Sequence, residues 1–570
     1  MAFQLSPGVN ITEVDMTTVV PSVSTTAGAF AGYFKWGPVE KITQITSEVD
    51  LVNRFGKPDD SSSSSFFSAA NFLSYGNNLQ VVRTVGSAAY NATGGTALLV
   101  KNSDVFQSVY LNQNNSGTYG AFIARYAGTL GNSLKVSVCD NATDFATWTY
   151  KGYFPAAPGS SEQAIAAGGL YDEMHIIVID TNGKFTGTKG TILETYAFVS
   201  KARNATLNGV SNYYKNVLFN NSKYVYAMDP VDYTAQVTTW GSTIDTTFTR
   251  LSATIDVVLT GGADVAPTDG DIQTGYSYFA NKELTEISLI VTGAASYNVQ
   301  NYIISTIVNP PVSTDVSSNA RGDCVVFISP PESAVVNQAG SEVQNIQSWL
   351  SNLGTTSTFA VADSGWKYQY DRYNNTYRWV PLNGDIAGLC VNTDNVSDPW
   401  FSPAGYTRGQ VKNAIKLSWN PNKTQRDAIY NAGVNPVVSF PGQGIVLFGD
   451  KTLTSKPSAF DRINVRRLFI ALEKAISTAA KFSLFEQNDE ITRAQFISTI
   501  TPFLRDIQGR RGITDFKVVC DTTNNTPGII DTNRFVGDIY IKPSRSINYI
   551  QLNFVAVGSG VDFTTIAGGV

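Results

Sequence analysis

Apolar positions along this chain fall into three textures. In the first, short unbroken apolar runs alternate with stripes at helical spacing. The run GAFAGYF leads to a Gly37-Pro38 turn. Ser47 then stands where an N-cap would open a helix carrying Val49, Leu51 and Phe55, with Gly56-Lys57-Pro58 as its stop. Ser61–Ser65 is a serine run and reads as a flexible loop. Phe66, Phe67, Ala70 and Leu73 mark the next helix and Leu79–Val85 the next strand. The same texture returns beyond residue 250. A strand over Glu286–Thr292, a helix over Tyr297–Val308, a strand over Asp323–Ser329, a helix over Ser333–Leu353 and a strand over Thr358–Ala362 follow in turn. Strands that are apolar along their whole length, separated by helices, predict a parallel sheet covered on both faces: a doubly wound α/β domain.

The second texture fills 88–250. Runs such as ALLVKN, LKVSVCD, MHIIVID and KNVLFN are parted by Asn, Gly and Ser clusters at short spacing, the pattern of a β-rich module inserted into the first domain. The third holds two long helical stripes. Val465, Leu468, Leu472, Ala475 and Ala479 lie on Asn464–Ala480, and Ala494, Ile497, Ile500, Leu504 and Ile507 on Ile491–Ile507. Strands over Phe516–Cys520, Asp538–Ile541 and Ile550–Val557 follow, and in the last Ile550, Leu552 and Phe554 share one face.

The first twenty residues alternate only loosely, at Val9, Ile11 and Val14, and the last thirteen are sparser still. Neither end has the apolar surface to fold alone, so each reads as an extended arm that pairs with something else. The chain therefore divides into an N-terminal arm (1–20), a discontinuous α/β core (21–87 with 251–432), an inserted β-rich domain (88–250), a C-terminal domain (433–557) and a C-terminal arm (558–570).

Composition narrows the function. With 570 residues and 43% hydrophobic content the chain supports several cores, yet only 15% of it is charged. A formal charge of −5 gives no electrostatic reason to bind nucleic acid. The opening MAFQLSPGVNITEV lacks the charged and apolar regions of a secretory signal, and no apolar run is long enough to span a membrane. A soluble protein made in a cytoplasm is expected. The scattered Cys139, Cys324, Cys390 and Cys520 sit in or beside apolar runs and are expected to be buried thiols.

Catalytic patterns are missing. The one histidine, His175, has no GxSxG to serve, and one His with four dispersed Cys makes no zinc cluster. TNGKFTGTKGT lacks the order of a phosphate-binding loop, and no GxGxxG follows a strand. Asp59–Asp60, Asp394 with Asp398, and Glu486 with Asp489 and Glu490 bring carboxylates together. A glycosidase uses such pairs, but solvated turns and helix caps account for them as well. Arg321-Gly322-Asp323 matches an adhesion tripeptide but abuts a strand that reads as buried. No enzyme and no cofactor are expected.

Several phrases in order resemble the contractile tail sheath proteins of bacteriophages, the T-even-like sheaths most closely. They are GYFKWGPVEKITQITSEVDLVNRFGKP with NFLSYGNNLQVVRTV, ARYAGTLGNSLKVSV, PLNGDIAGLCVNTDNVSDPWFSPAG, and the C-terminal words GVNPVVSFPGQGIVLFGDKTL, INVRRLFIALEKAI, FEQND, VVCDTTNNTPGIID and DIYIKPSRSINYIQLNFV. The resemblance covers most of the chain except its β-rich middle. It implies a subtilisin-like core without protease activity, and subunits stacked in hexameric rings around a tail tube. Other implied partners are baseplate and tail terminator proteins, with no direct nucleic-acid or membrane contact. It also implies that the arms, through Val9, Ile11 and Val14 and through Ile550, Leu552 and Phe554, add strands to neighbours. Arg466, Arg467, Lys474 and Lys481 are candidates for facing the tube. The competing reading is that the two arginines buttress the domain from inside and the lysines form a solvated face. Three rival functions stand beside this one, the last two, an enzyme and an adhesin, being of a different class. The first is the sheath of a pyocin-like or other contractile injection particle. The second is a glycan-cleaving tail enzyme, and the third a surface adhesin.

Overall fold

Strand β1 (Gly28–Gly32) is buried at every position, and its small residues let side chains close over it. A Cβ on Gly28 would lie 2.5 Å from the Phe72 ring. The computed structural model describes residues 24–113, 117–231, 239–308, 321–454, 457–548 and 551. The arm positions Val9, Ile11, Val14, Ile550, Leu552 and Phe554 lie outside the described residues.

Strand β2 (Thr43–Ile45) leads into helix α1 (Glu48–Phe55). The Ser47 hydroxyl accepts from the Asp50 N–H at 3.1 Å, the cap that the sequence predicts. Leu51 and Phe55 turn into the core, whereas Val49 is 64% exposed and belongs to no apolar face. The serine run is no loop. Asp59 Oδ1 accepts from the backbone N–H and hydroxyl of both Ser61 and Ser62, and helix α2 (Ser63–Leu73) starts inside the run. Burial of Phe66, Phe67 and Phe72 pulls the weak helix formers before them into the helix. Strand β3 (Leu79–Arg83) follows.

The chain then builds the module predicted over 88–250, whose sheet extends to Ile255–Val258. An antiparallel sheet of β4 (Leu134–Cys139), β5 (Glu173–Asp180), β6 (Thr191–Ser200) and β7 (Ile255–Val258) pairs in the order β7-β4-β5-β6. Short helices such as Ser103–Val109 and Tyr214–Asn221 accompany it, so the module is mixed as well as β-rich. Arg83, fully buried at the end of β3, donates to the carbonyls of Phe34, Gly37 and Ala127, each at 2.8 Å. It ties the turn after β1 to the β-rich module, and burial pushes its guanidinium down to about 10.

Back in the core lie β8 (Leu289–Val291), the helix Tyr297–Tyr302 with a π-helical continuation over Ile303–Val308, and β9 (Val325–Ile328). The helix predicted over Ser333–Leu353 is two helices, Glu332–Val335 and Glu342–Leu353. Positive φ at Asn337 (57°) and Gly340 (90°) separates them. Strand β10 (Ala360–Asp363) precedes three elements that the periodicity does not predict. These are the hairpin β11 (Trp366–Asp371) and β12 (Thr376–Pro381), and helix α3 (Asn383–Val396). The central sheet closes with β13 (Val434–Asn435).

Seven strands form this sheet in the order β13-β10-β9-β8-β1-β3-β2, parallel throughout except for the edge pair β2–β3. Alternate residues feed two cores. Phe30, Val81, Val291 and Phe327 meet α2 and α3 on one face, and Ala29, Val82, Ile290 and Val326 meet Ile303, Ile307, Ile346 and Trp349 on the other. Helices on both faces are why the strands read as continuous apolar runs.

Two compact units result, Met1–Phe482 and Ser483–Val570. The first reaches well past residue 433 because Val437, Ile445, Leu447, Ile463 and Ile470 join the core that holds α2 and α3. Ile463 and Ile470 belong to helix α4 (Ile463–Ala480). The second unit holds helix α5 (Glu490–Gly509) and an antiparallel pair, β14 (Ile513–Val519) with β15 (Asp538–Pro543).

Candidate assembly surfaces

Four basic residues on or beside α4 are candidates for an outward charge row, and the structure separates them. The Arg466 guanidinium lies between the Phe359 and Phe460 rings, 4.0 Å from each centroid, and donates to Thr358 Oγ1 at 2.6 Å. Burial pushes it down to about 10. Arg467 forms a two-pronged pair with Asp394 of α3 at 2.8 and 2.6 Å, and the Thr25 hydroxyl donates to the same carboxylate at 2.6 Å. Burial alone would lower Arg467, but the Asp394 carboxylate holds it above its ordinary value.

Lys474 turns inward as well. Its Nζ donates to the Ile287 carbonyl at 2.6 Å and to Ser288 Oγ at 2.7 Å, with the Asp323 carboxylate at 3.5 Å. Lys481, past the end of α4, is exposed. The arginines thus lock α4 to the core, as the competing reading holds, while the lysines split between an inward contact and a solvated end. Residue type signals charge, but only the fold decides which way it faces.

The second unit offers a different surface. Phe496, Ile500, Leu504 and Ile507 line the buried side of α5. Asn525 pins the loop between the strands, donating to the Val536 carbonyl at 2.7 Å and accepting from the Val536 N–H at 2.9 Å. Among the described residues β14 and β15 pair only with each other. Among the described residues neither outer edge carries a third strand, and a two-stranded sheet is marginal alone.

His175 is buried and stacks on Phe154 at 4.3 Å, with its Nε2 2.8 Å from the Ala156 carbonyl and its Nδ1 accepting from the Phe198 N–H. Burial lowers its pKa. Among the described residues no group of His, Cys, Asp or Glu could hold a metal ion. Asp59 holds the turn before α2 by accepting from Ser61 and Ser62, Asp394 pairs with Arg467, and Asp489 caps α5 by accepting from the Thr492 N–H at 2.8 Å. Arg321 is fully buried and donates to its neighbour Asp323 at 3.0 and 2.9 Å, so the adhesion tripeptide is not displayed. All four cysteines are free and buried. No described helix is long and apolar enough to cross a membrane.

Comparison with known proteins fits this picture. Residues 25–84 match the model of the tail sheath protein Gp18 domain III N-terminal region. Residues 300–453 match the phage tail sheath protein central domain, and 455–556 the phage tail sheath C-terminal domain. The tail sheath protein of Vibrio phage KVP40 is 35% identical over 695 aligned residues, covering 99% of this chain and 100% of the relative. That of Enterobacteria phage T4 is 33% identical, covering 99% of both chains. A crystal structure of a sheath tail protein from Listeria innocua shares the fold at a TM-score of 0.55 and 12% identity, over 92% of this chain and 93% of that one.

Proposed function

Because this chain belongs to the phage tail sheath family, we propose that it is the repeating subunit of a contractile tail sheath and works through its interfaces. The observation that carries the reading is the match of three successive segments, 25–84, 300–453 and 455–556, to tail sheath models. The β14–β15 sheet, whose two edges have no third strand among the described residues, is the element on which the arms would act. The N-terminal arm, through Val9, Ile11 and Val14, and the C-terminal segment, through Ile550, Leu552 and Phe554, supply strands to such edges on neighbouring copies. Each backbone bond nets about 0.5–1.5 kcal/mol, so one pairing is modest, but repetition makes a connected mesh.

Subunits stack as hexameric rings around a tail tube, held at the ends by baseplate and terminator proteins. Contraction is a switch from a metastable extended packing to one of lower free energy, and it drives the tube through the host envelope. The protein is structural rather than enzymatic and uses no cofactor. It is assembled in the host cytoplasm and resides in the virion tail. The central domain is a doubly wound, subtilisin-like core. The separation of the matched segments 25–84 and 300–453 supports reading the intervening stretch as an insertion. Within 433–557, the unit that begins at Ser483 acts as the assembly domain. Of the four basic candidates we assign tube contact to Lys481, which is exposed, whereas tube contact by Arg466, Arg467 or Lys474 requires their internal bonds to break. Electron microscopy of the purified chain tests the reading: hollow striated tubes are expected, and compact monomers that persist at high concentration would overturn it.

A further inference from the structure

A cavity of about 1400 Å³ opens between the β2–α1 segment and the insertion. Its floor is aromatic. Trp36 meets the Phe185 ring edge-on at 5.0 Å, and Phe185 meets Tyr224 at 5.1 Å. Its rim is basic, with seven Lys or Arg side chains against two Asp, in a chain whose formal charge is −5. Three of the seven are answered locally: Lys35 by Asp59 and Asp264, Lys41 by Asp104, and Arg54 by Asp50. Arg125 stacks on Tyr226 at 4.6 Å and donates to the Phe219 and Ser222 carbonyls. Lys57, Lys184 and Lys223 are exposed, and among the described residues no carboxylate lies within ion-pair distance of them. A concave, aromatic site ringed by unanswered cations attracts an anionic partner. Its volume exceeds the roughly 300–1000 Å³ usual for small-molecule sites and suits a length of chain.

The sequence supplies a segment of matching chemistry. Phe485-Glu486-Gln487-Asn488-Asp489-Glu490 carries three acids, and no basic residue lies between Lys481 and Arg493. Phe485 is fully exposed (103%) and holds a left-handed φ of 70°, an unfavourable state for an aromatic residue without a partner. Leu484 and Ile491, which flank the segment, are 63% and 68% exposed. Isolated exposed apolar residues are ordinary, but an aromatic projected directly before a run of acids has the make-up of an interface anchor.

We propose that the acidic segment Phe485–Glu490 of one copy seats in the basic cleft of a second copy. Phe485 lies on the floor of Trp36, Phe185 and Tyr224, and Glu486 and Glu490 face Lys57, Lys184 and Lys223. The pairing rests on the sheath reading, since it needs copies in contact. It adds a side-chain lock to the backbone mesh.

Disulfide trapping tests it. Copies carrying Lys184→Cys are mixed with copies carrying Gln487→Cys, assembled, and mildly oxidised; the native thiols are buried and give little background. A crosslinked dimer that appears only in the mixture, and only after assembly, is expected. In parallel, reversal of Lys57, Lys184 and Lys223 to Glu should slow assembly roughly ten-fold. Combination with copies carrying Glu486→Lys and Glu490→Lys should restore the rate, which a folding defect would not allow. Tubes that form without the crosslink, or a triple reversal that assembles at the wild-type rate, would overturn the pairing and leave the sheath reading standing. Failure of the unmodified chain to assemble would overturn both. Crosslinking that is abolished by inorganic phosphate at physiological salt would show that the cleft prefers a small anion, and would likewise count against the pairing.

Discussion

Asp394→Ala is the sharpest test of how this subunit is held together. The Asp394 carboxylate accepts three charge-assisted hydrogen bonds, two from Arg467 and one from Thr25, so it joins α3, α4 and the chain just before β1. The side chains of Arg467 and Asp394 are only 3% and 6% exposed. Bonds to charged groups are each worth about 1.5–3 kcal/mol, which sets an upper bound because they are not additive. Arg467 keeps the Cys390 and Thr25 carbonyls at 3.3 and 3.4 Å, which blunts the loss. Stranding a buried charge costs about 3–5 kcal/mol, and that is the expected effect.

Hydrogen exchange across α3 and α4 is the assay, since a 570-residue chain need not unfold in one step. Arg467→Ala and the double variant complete a cycle, and a coupling of at least about 2 kcal/mol is expected. Combining Asp394→Leu with Arg467→Met should come within about 1 kcal/mol of wild type, because an apolar pair leaves no orphan charge. Additive single substitutions, or a loss below about 1 kcal/mol for Asp394→Ala, would refute the reasoning.

Other predictions follow from single contacts. Burial holds the Asp363 carboxyl up at about 8, against the Ser329 hydroxyl and the Gly365 N–H. A raised folded carboxyl keeps a proton that the unfolded chain has released, so its contribution is full below about pH 4 and is lost as pH rises to 8. Asp363→Asn should flatten that fall in denaturant midpoints between about pH 5 and 8, and an unchanged slope would count against it. A Cβ on Gly384 would lie 2.4 Å from the Ser68 carbonyl, so Gly384→Ala should push α3 off α2 and cost about 1–3 kcal/mol in thermal unfolding. The register of α1 predicts a contrast: Leu51→Ala costs about 2–5 kcal/mol, whereas Val49→Thr stays within about 0.5. Equal losses at the two positions would show the register to be wrong.

The parts that were legible in the sequence are those where one physical pattern dominates. β1, β8 and β9 are apolar along their length, and β10 up to its final Asp363, because both faces are covered, and Ser47 caps α1 where its spacing says it should. Helix α3 was missed for the opposite reason. It is buried on nearly every side, so Asn383, Asp385 and Thr393 interrupt any stripe while lying inside the core themselves. The β11–β12 hairpin did carry a signal. Trp366, Tyr368 and Tyr370 alternate on one strand, Tyr377 and Trp379 on the next, and Asn375 turns between them at φ 50°. The serine run misled because low complexity describes composition, not the pull of the three phenylalanines behind it. The direction of Arg466, Arg467 and Lys474 was not readable at all, since their partners at Thr358, Asp394 and Ile287 are remote in sequence.

The central claim is that copies are joined by strands passed between them, and cryo-electron microscopy of assembled tubes tests it most directly. The account predicts that the edges of each β14–β15 sheet are occupied by residues from arms of neighbouring copies. It also predicts that chains lacking Met1–Val20 form no tubes. Edges left bare or filled by the same chain's own arms, or normal tubes without those twenty residues, would contradict it.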